Sequence, residues 1–238
     1  MTQVKPALYL FPVPMSADVA PAEVLPAPNL ELLTRVKYFA VENIRSARRF
    51  LRAVSRDIDI DSLSLVELSE HTPESEIASM IQPLVEGNAM GVISEAGCPA
   101  VADPGALLVA EAQRRGLPVV PLVGPSSILM SLMASGFNGQ QFTFHGYLPI
   151  DAHARVKAIR EMERAAHRGV TQIFIETPYR NNRLLADLAA TLAPATRICV
   201  AADVTGPAES IVTLTASGWR SRKYDYAKIP TIFLISSL

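Results

Sequence analysis

Five short apolar runs, Ala7 to Phe11, Val36 to Val41, Ser64 to Leu68, Ala89 to Ser94 and Pro118 to Leu122, alternate with helical patterns through the first half of the chain. Runs of this length bounded by turn residues read as strands, and strands that alternate with helices build a mostly parallel, helix-covered sheet. The strongest helical pattern runs from about Asn43 to Val54. It puts Ile44, Ala47, Phe50, Leu51 and Val54 on one stripe and turns Arg45, Arg48, Arg49 and Arg52 outward. Thr72-Pro73 reads as an N-cap with proline in the first helical position, opening a helix through Val85 that Pro83 kinks or shortens. Pro12, Pro14, Pro21, Pro26 and Pro28 predict an ordered but irregular loop after the first strand.

The polar, glycine-bearing stretch Ser135 to Gln140 interrupts this alternation, and a domain boundary is expected there, giving domains 1–138 and 139–238. Strands then follow at Phe142 to His145, Gln172 to Glu176, Arg197 to Ala201, Ser210 to Thr215 and Thr231 to Ile235. Helices are expected from about Ala152 to His167 and from Arg180 to Leu192. Two strands in succession without a helix between them imply antiparallel pairing, so the second sheet is expected to be mixed.

Composition narrows the function classes. With 238 residues, 49% of them hydrophobic and 19% charged, the chain can bury a substantial core. No apolar run approaches the ~20 residues of a membrane span, and the early run Ala7 to Phe11 is too short for a signal-peptide core, so no membrane association and a cytoplasmic location are expected. Cys98 and Cys199 have no metal-ligand neighbours at useful spacing, which argues against a metal site. A formal net charge of −1 gives no global basic surplus of the kind nucleic-acid enzymes usually carry. Local clusters exist on the Arg45 to Arg56 segment and among Arg220, Arg222, Lys223 and Lys228. The dinucleotide fingerprint G-x-G-x-x-G, the phosphate loop G-x-x-x-x-G-K-(S/T) and the hydrolase elbow G-x-S-x-G are all absent.

Chemistry concentrates in two loops that each follow an apolar strand and open a helix. They are Ser94-Glu95-Ala96-Gly97-Cys98-Pro99-Ala100-Val101-Ala102-Asp103-Pro104-Gly105 and Val123-Gly124-Pro125-Ser126-Ser127. Glycine lets backbone approach a ligand closely, and a helix start offers unpaired N–H groups. Loops of this kind at the ends of neighbouring strands point to a small-molecule cleft.

These two motifs resemble those of the tetrapyrrole methylase superfamily of S-adenosylmethionine-dependent methyltransferases. Val41-Glu42-Asn43-Ile44-Arg45, Phe144-His145-Gly146-Tyr147-Leu148-Pro149 and Ile175-Glu176-Thr177-Pro178-Tyr179-Arg180 fall in the family's order. Within it the chain is most similar to the branch that 2′-O-methylates a cytidine of small-subunit ribosomal RNA. The resemblance implies two α/β domains, each with helices on both faces of its sheet, a cofactor cleft between them, and a homodimer. It also implies that Pro14, Met15, Ala96, Gly97, Cys98, Val101, Ser126, Ser127, Glu176, Val204, Pro230 and Thr231 line the S-adenosylmethionine site. Transfer to a hydroxyl needs a proton acceptor, for which Glu42, Glu95 and Glu176 are the candidates, with Asp103 a further carboxylate at the cleft. Glu176 and Arg180 are spaced for an ion pair, and Arg45, Arg48 and Arg49 are the expected contacts to RNA phosphates.

Departures from the branch's pattern are local. Where it has P-T-P-I-G-N, E-D-T-R and R-E-L-T-K, this chain has Pro12-Val13-Pro14-Met15-Ser16-Ala17, Glu42-Asn43-Ile44-Arg45 and Ala202-Asp203-Val204-Thr205-Gly206. Two other functions therefore stand beside rRNA methylation: methylation of a tetrapyrrole or other small molecule, and a catalytically degenerate cofactor-binding protein.

Overall fold

In the computed structural model, which describes residues 4–69 and 71–237, the chain divides into two compact units, Met1–Ser126 and Ser127–Leu238. The first is built on strands β1 (Leu8–Phe11), β2 (Tyr38–Val41), β3 (Ser64–Glu67), β4 (Met90–Ile93) and β5 (Val119–Pro121), all parallel in the order β3-β2-β4-β1-β5. Every residue of β1 and β4 is buried, as expected of strands covered on both faces, whereas edge strands β3 and β5 are half-buried or exposed. Side chains alternate across the sheet. Leu8 and Leu10 of β1 join a cluster with Ile77, Ile81, Leu84 and Leu108, from helices α4 (Glu74–Met80), α5 (Gln82–Val85) and α6 (Gly105–Arg114) and the residue between α4 and α5. Tyr9 and Phe11 face the other way, into a cluster with Leu33 of α2 (Ala27–Leu33) and Ala47 and Leu51 of α3 (Ile44–Val54).

Two local expectations change. The proline-rich stretch forms α1 (Pro21–Val24) and α2, because Pro21 and Pro28 sit in the first turns, where a missing N–H leaves no helical bond unmade. Thr72 does not cap α4. Its hydroxyl accepts the Ser69 N–H at 2.9 Å to close a turn, and Pro73 takes the N-cap position. Pro83 acts as expected: it lies in the first turn of α5, and the helical segment is divided at Ile81.

The second unit comprises α7 (Ser127–Ser135), β6 (Phe142–Tyr147), α8 (Ala152–Ala166), β7 (Thr171–Ile175), α9 (Asn181–Thr191), β8 (Arg197–Ala202), β9 (Ser210–Thr215), α10 (Ala216–Ser221) and β10 (Thr231–Ser236). Its sheet, β6-β7-β10-β8-β9, is parallel only between β6 and β7. One core gathers Ile159 and Met162 of α8, Leu184, Leu185 and Leu188 of α9 and Trp219 of α10 over Phe174, Val200 and Phe233. Helix α7 packs on β9 and β10. Residues 135–140 are bound into this unit, with Asn138 donating to the Gly169 carbonyl at 2.7 Å and Thr171 donating to that of Asn138 at 2.8 Å. By compactness the unit begins at Ser127, the first residue of α7.

Candidate active site

In the first unit, the loops after β1, β4 and β5 follow three strands that are neighbours in the sheet. In open parallel sheets, ligands bind outside these carboxyl ends. Val13 and Gly97 exchange backbone hydrogen bonds of 2.9 and 3.2 Å, bringing Pro14 and Met15 alongside Ala96 and Cys98. The Cys98 thiol donates to the Pro125 carbonyl at 3.3 Å, and Asn29 donates to that of Val123 at 2.7 Å. Three loops are thereby knit into one surface, with Ser126 at its margin.

The backbone of that surface is constrained. Gly97 has φ +69°, and a Cβ there would touch the Pro125 carbonyl and Met15. Ala100 and Ala102 adopt φ of +65° and +57°, uncommon for residues with a Cβ and concentrated at functional sites. Asp103 accepts the N–H groups of Ala100 at 2.9 Å and Gly105 at 2.7 Å and so holds this turn shut. Its carboxyl is raised by burial, against the lowering effect of those bonds. Burial also raises the Cys98 thiol, which disfavours its thiolate. Val101 projects from the turn, half exposed.

Glu42 and Glu95, at the ends of adjacent β2 and β4, form a short ladder. Glu42 Oε2 accepts the Glu95 N–H at 2.9 Å, and Ser46 Oγ donates to Glu95 Oε1 at 2.6 Å. Ser46 is presented by α3, which Asn43 caps by accepting the N–H groups of Arg45 and Ser46. An aspartate could cap equally well, so the missing acid of the E-D-T-R pattern leaves this helix start intact. Arg45, Arg48 and Arg49 are exposed on α3, and Arg48 pairs with Asp61 at 2.5 Å.

In the second unit, antiparallel pairing brings distant segments to one edge. Thr231 lies opposite Ala202 and Ile232 opposite Ile175, so Glu176 just past β7, Val204 past β8, and Pro230 and Thr231 at the start of β10 gather there. The Asp203 N–H donates to the Pro230 carbonyl at 2.9 Å, fastening two of these segments. Glu176 is buried, and its Oε1 accepts from the Thr177 N–H at 2.6 Å and from Arg180 Nε at 3.0 Å and Nη2 at 2.5 Å. Here too the loop is strained, with Asp203 and Thr205 at φ +47° and +68°. Asp203 Oδ2 accepts the Ala208 N–H at 2.9 Å, and its carboxylate occupies the place a side chain at Gly206 would take.

Three residues at these edges escape sequence reasoning. Ser46 has no motif of its own. Tyr147, paired in register with Ile175, and Tyr179 are 60% and 80% exposed beside Glu176. Tyr147 and Tyr179 lie inside the Phe144 to Pro149 and Ile175 to Arg180 runs, which were the available signal. Among the described residues no group of carboxylate, histidine and cysteine side chains could hold a metal ion, and no helix is long and apolar enough to cross a membrane.

A parallel α/β unit with three strand-end loops knit together, followed by a mixed-sheet unit with a buried carboxylate at its edge, defines the class of protein. The chain belongs to the Tetrapyrrole (Corrin/Porphyrin) Methylases, whose pattern it matches over residues 24–218. It is 29% identical over 208 residues to "Ribosomal RNA small subunit methyltransferase I" of Vibrio cholerae, covering 87% of this chain and 67% of that protein. It is 35% identical over 185 residues to the protein of the same name from Micromonospora olivasterospora, covering 78% and 55%. The matched region spans half to two thirds of the length of such relatives. In fold the chain is similar to the methyltransferase CobJ, with a TM-score of 0.65, 17% identity, and coverage of 97% of this chain and 93% of that one.

Proposed function

We propose that this protein is an S-adenosylmethionine-dependent methyltransferase that 2′-O-methylates a nucleotide of ribosomal RNA. The observation that carries the reading is the knitted loop surface of the first unit, with its left-handed turn at Gly97, Ala100 and Ala102, in a chain whose relatives bear an rRNA methyltransferase name. A small ligand fits such a surface: Gly97 leaves bare backbone where a Cβ would stand against Pro125 and Met15. In this reading the cofactor contacts of the first unit are Pro14 and Met15 from the loop after β1 and Ala96, Gly97, Cys98, Val101 and Ser126 from the two motifs, and those of the second unit are Ser127, Glu176, Val204, Pro230 and Thr231.

S-adenosylmethionine supplies a methyl group on a positively charged sulfur. When bound, it would give that methyl carbon to a ribose oxygen, with the carbon–sulfur bond breaking to a neutral thioether. Alignment therefore contributes most of the rate. The hydroxyl proton passes to a carboxylate, and Glu95 is better placed for this than Glu176. Glu95 is exposed and oriented by a single hydroxyl, whereas Oε1 of Glu176 already takes three donors. Glu42 positions Glu95 through its backbone N–H. Asp103 is committed to its own turn. Tyr147 and Tyr179 offer exposed rings for stacking on an unpaired base. A homodimer belongs to the same reading, supported by Leu129 and Met133, 52% and 82% exposed one turn apart on α7.

Titration calorimetry with S-adenosylmethionine and S-adenosylhomocysteine, followed by transfer of labelled methyl to small ribosomal subunits, tests the proposal. Micromolar binding and a label that protects one ribose linkage from alkaline cleavage are expected. Absence of binding to either ligand sinks it, and binding with transfer to a ring compound but not to RNA would favour small-molecule methylation.

A further inference from the structure

The net charge of −1 conceals a division. Met1–Ser126 holds ten lysines and arginines against fifteen acids, and Ser127–Leu238 holds twelve against eight, for net charges of −5 and +4. Much of the second unit's excess lies on α8. Arg155, Ile159, Met162 and Ala166 make its buried face. On the opposite face, His153, Lys157, Arg160, Arg164, His167 and Arg168 recur at steps of three and four and are all exposed. They extend over about 22 Å at the helical rise of 1.5 Å per residue. Among the described residues Lys157, Arg160 and Arg164 have no ion-pair partner. Of the two acids between them, Glu163 turns aside to bind the Ala193 N–H and the Thr196 hydroxyl, and Glu161 lies at the stripe's border.

Position connects this stripe to the site. Helix α8 starts a short loop after β6, so its N-terminal end lies at the sheet edge that carries Tyr147 and Glu176. That loop is fixed by Arg155, which donates to the carbonyls of Pro149 and Ile150 and pairs with Asp187 at 2.7 Å. The α3 cluster differs: Arg48 is already paired, and Asp57 and Asp59 are exposed in the segment that follows.

We propose that the outer face of α8, chiefly Lys157, Arg160 and Arg164, is a phosphate-binding track that leads the RNA strand to the Glu176 edge. The inference rests on the rRNA reading above and names the surface that holds the substrate. The chemistry of the face selects the partner. No large apolar side chain from 152 to 168 is exposed, so the face lacks both the inserting residues of a membrane-surface helix and the buried anchors of a protein interface. A row of cations without apolar content suits a phosphodiester backbone, which is read by charge and position.

The test uses the full chain, a labelled transcript of small-subunit ribosomal RNA, and polyglutamate as an acidic competitor. In Lys157→Ala/Arg160→Ala/Arg164→Ala, affinity for the transcript should fall at least tenfold near physiological salt. The slope of log K against log salt should fall by about 2, since each single-strand phosphate contact contributes about 0.7. Arg45→Ala/Arg49→Ala should change both less, and S-adenosylmethionine titration should be the same for all three proteins. An unchanged slope in the α8 variant, or polyglutamate displacing RNA at equal charge, overturns the inference. Methyl transfer separates it from the broader reading. If subunits are methylated and the α8 variant keeps the same KM for them, only the track is wrong. If the transcript binds through α8 and no methyl is transferred, the track stands and the proposed activity fails.

Discussion

The two units arrange their functional edges by different means. In the first, each of these bonds has a main-chain group as at least one partner: the Val13–Gly97 exchange, the Pro125 carbonyl taken by the Cys98 thiol, and the Ala100 and Gly105 N–H groups gathered by the Asp103 carboxylate. In the second, side-chain charges do the fastening, with Arg180 on Glu176, Arg155 on Asp187 and two carbonyls, and the Asp203 carboxylate folded over Gly206. The first edge should therefore be broken by adding atoms and the second by removing charge.

The largest effect is expected from Arg155→Ala. It strands Asp187 and two loop carbonyls and should cost about 4 kcal/mol, the range for one lost partner of a buried pair. Trp219, the only tryptophan and fully within the second core, reports that unit directly in urea denaturation followed by fluorescence. Next comes Gly124→Ala, whose Cβ would overlap the Pro12 ring. Overpacking of this kind should cost about 3 kcal/mol by far-UV circular dichroism and abolish S-adenosylmethionine binding. Gly206→Ala meets a carboxylate that can swing away and should cost about 1 kcal/mol, the worth of one hydrogen bond. Equal losses at Gly124 and Gly206 would break the contrast between the units.

Thiol chemistry gives a finer comparison. Burial raises both Cys98 and Cys199, but Cys98 is half-buried and Cys199 fully buried. Alkylation of Cys98 should accelerate only above the ordinary thiol range, while Cys199 should stay unlabelled until the chain unfolds. The smallest effect is at Glu111, held down to about 2 by hydrogen bonds from Arg114 and Arg115. Because its folded value lies below its unfolded one, its contribution is present above about pH 4.5 and lost as pH falls towards 2. Glu111→Gln should flatten that acid limb slightly, because Arg114 is largely exposed and the pair is screened by solvent, when stability is followed across the same pH range.

Most of the fold is legible because its signals are local. Buried parallel strands such as Leu8–Phe11 read as unbroken apolar runs, and Gly97, Cys98 and Gly124 stand in a motif whose backbone role follows from residue type. The carboxylate candidates Glu42, Glu95 and Glu176 can be named from sequence, yet their partners cannot. Ser46 reaches Glu95 across the β2–β4 neighbourhood, a pairing that no periodicity encodes. The gathering of Glu176, Val204 and Thr231 likewise depends on antiparallel register between segments far apart in the chain. Helices α1 and α2 are missed because proline is weighed as a breaker although it sits in their first turns. The stripe on α8 escapes notice when charge is summed over the whole chain, where the acids of the first unit cancel it.

The packing of Asp203 over Gly206 limits how this chain can change by mutation. In the R-E-L-T-K pattern of the resembled branch a glutamate and a lysine take these two places, and a lysine introduced at 206 alone would have to displace the Asp203 carboxylate. It would also release the Ala208 N–H that the carboxylate holds. Placing an ammonium there thus costs the loop a hydrogen bond, about 1 kcal/mol, unless residue 203 changes with it. The two positions are coupled, and in a library that varies 206 with 203 held constant every member with a side chain at 206 would carry that cost.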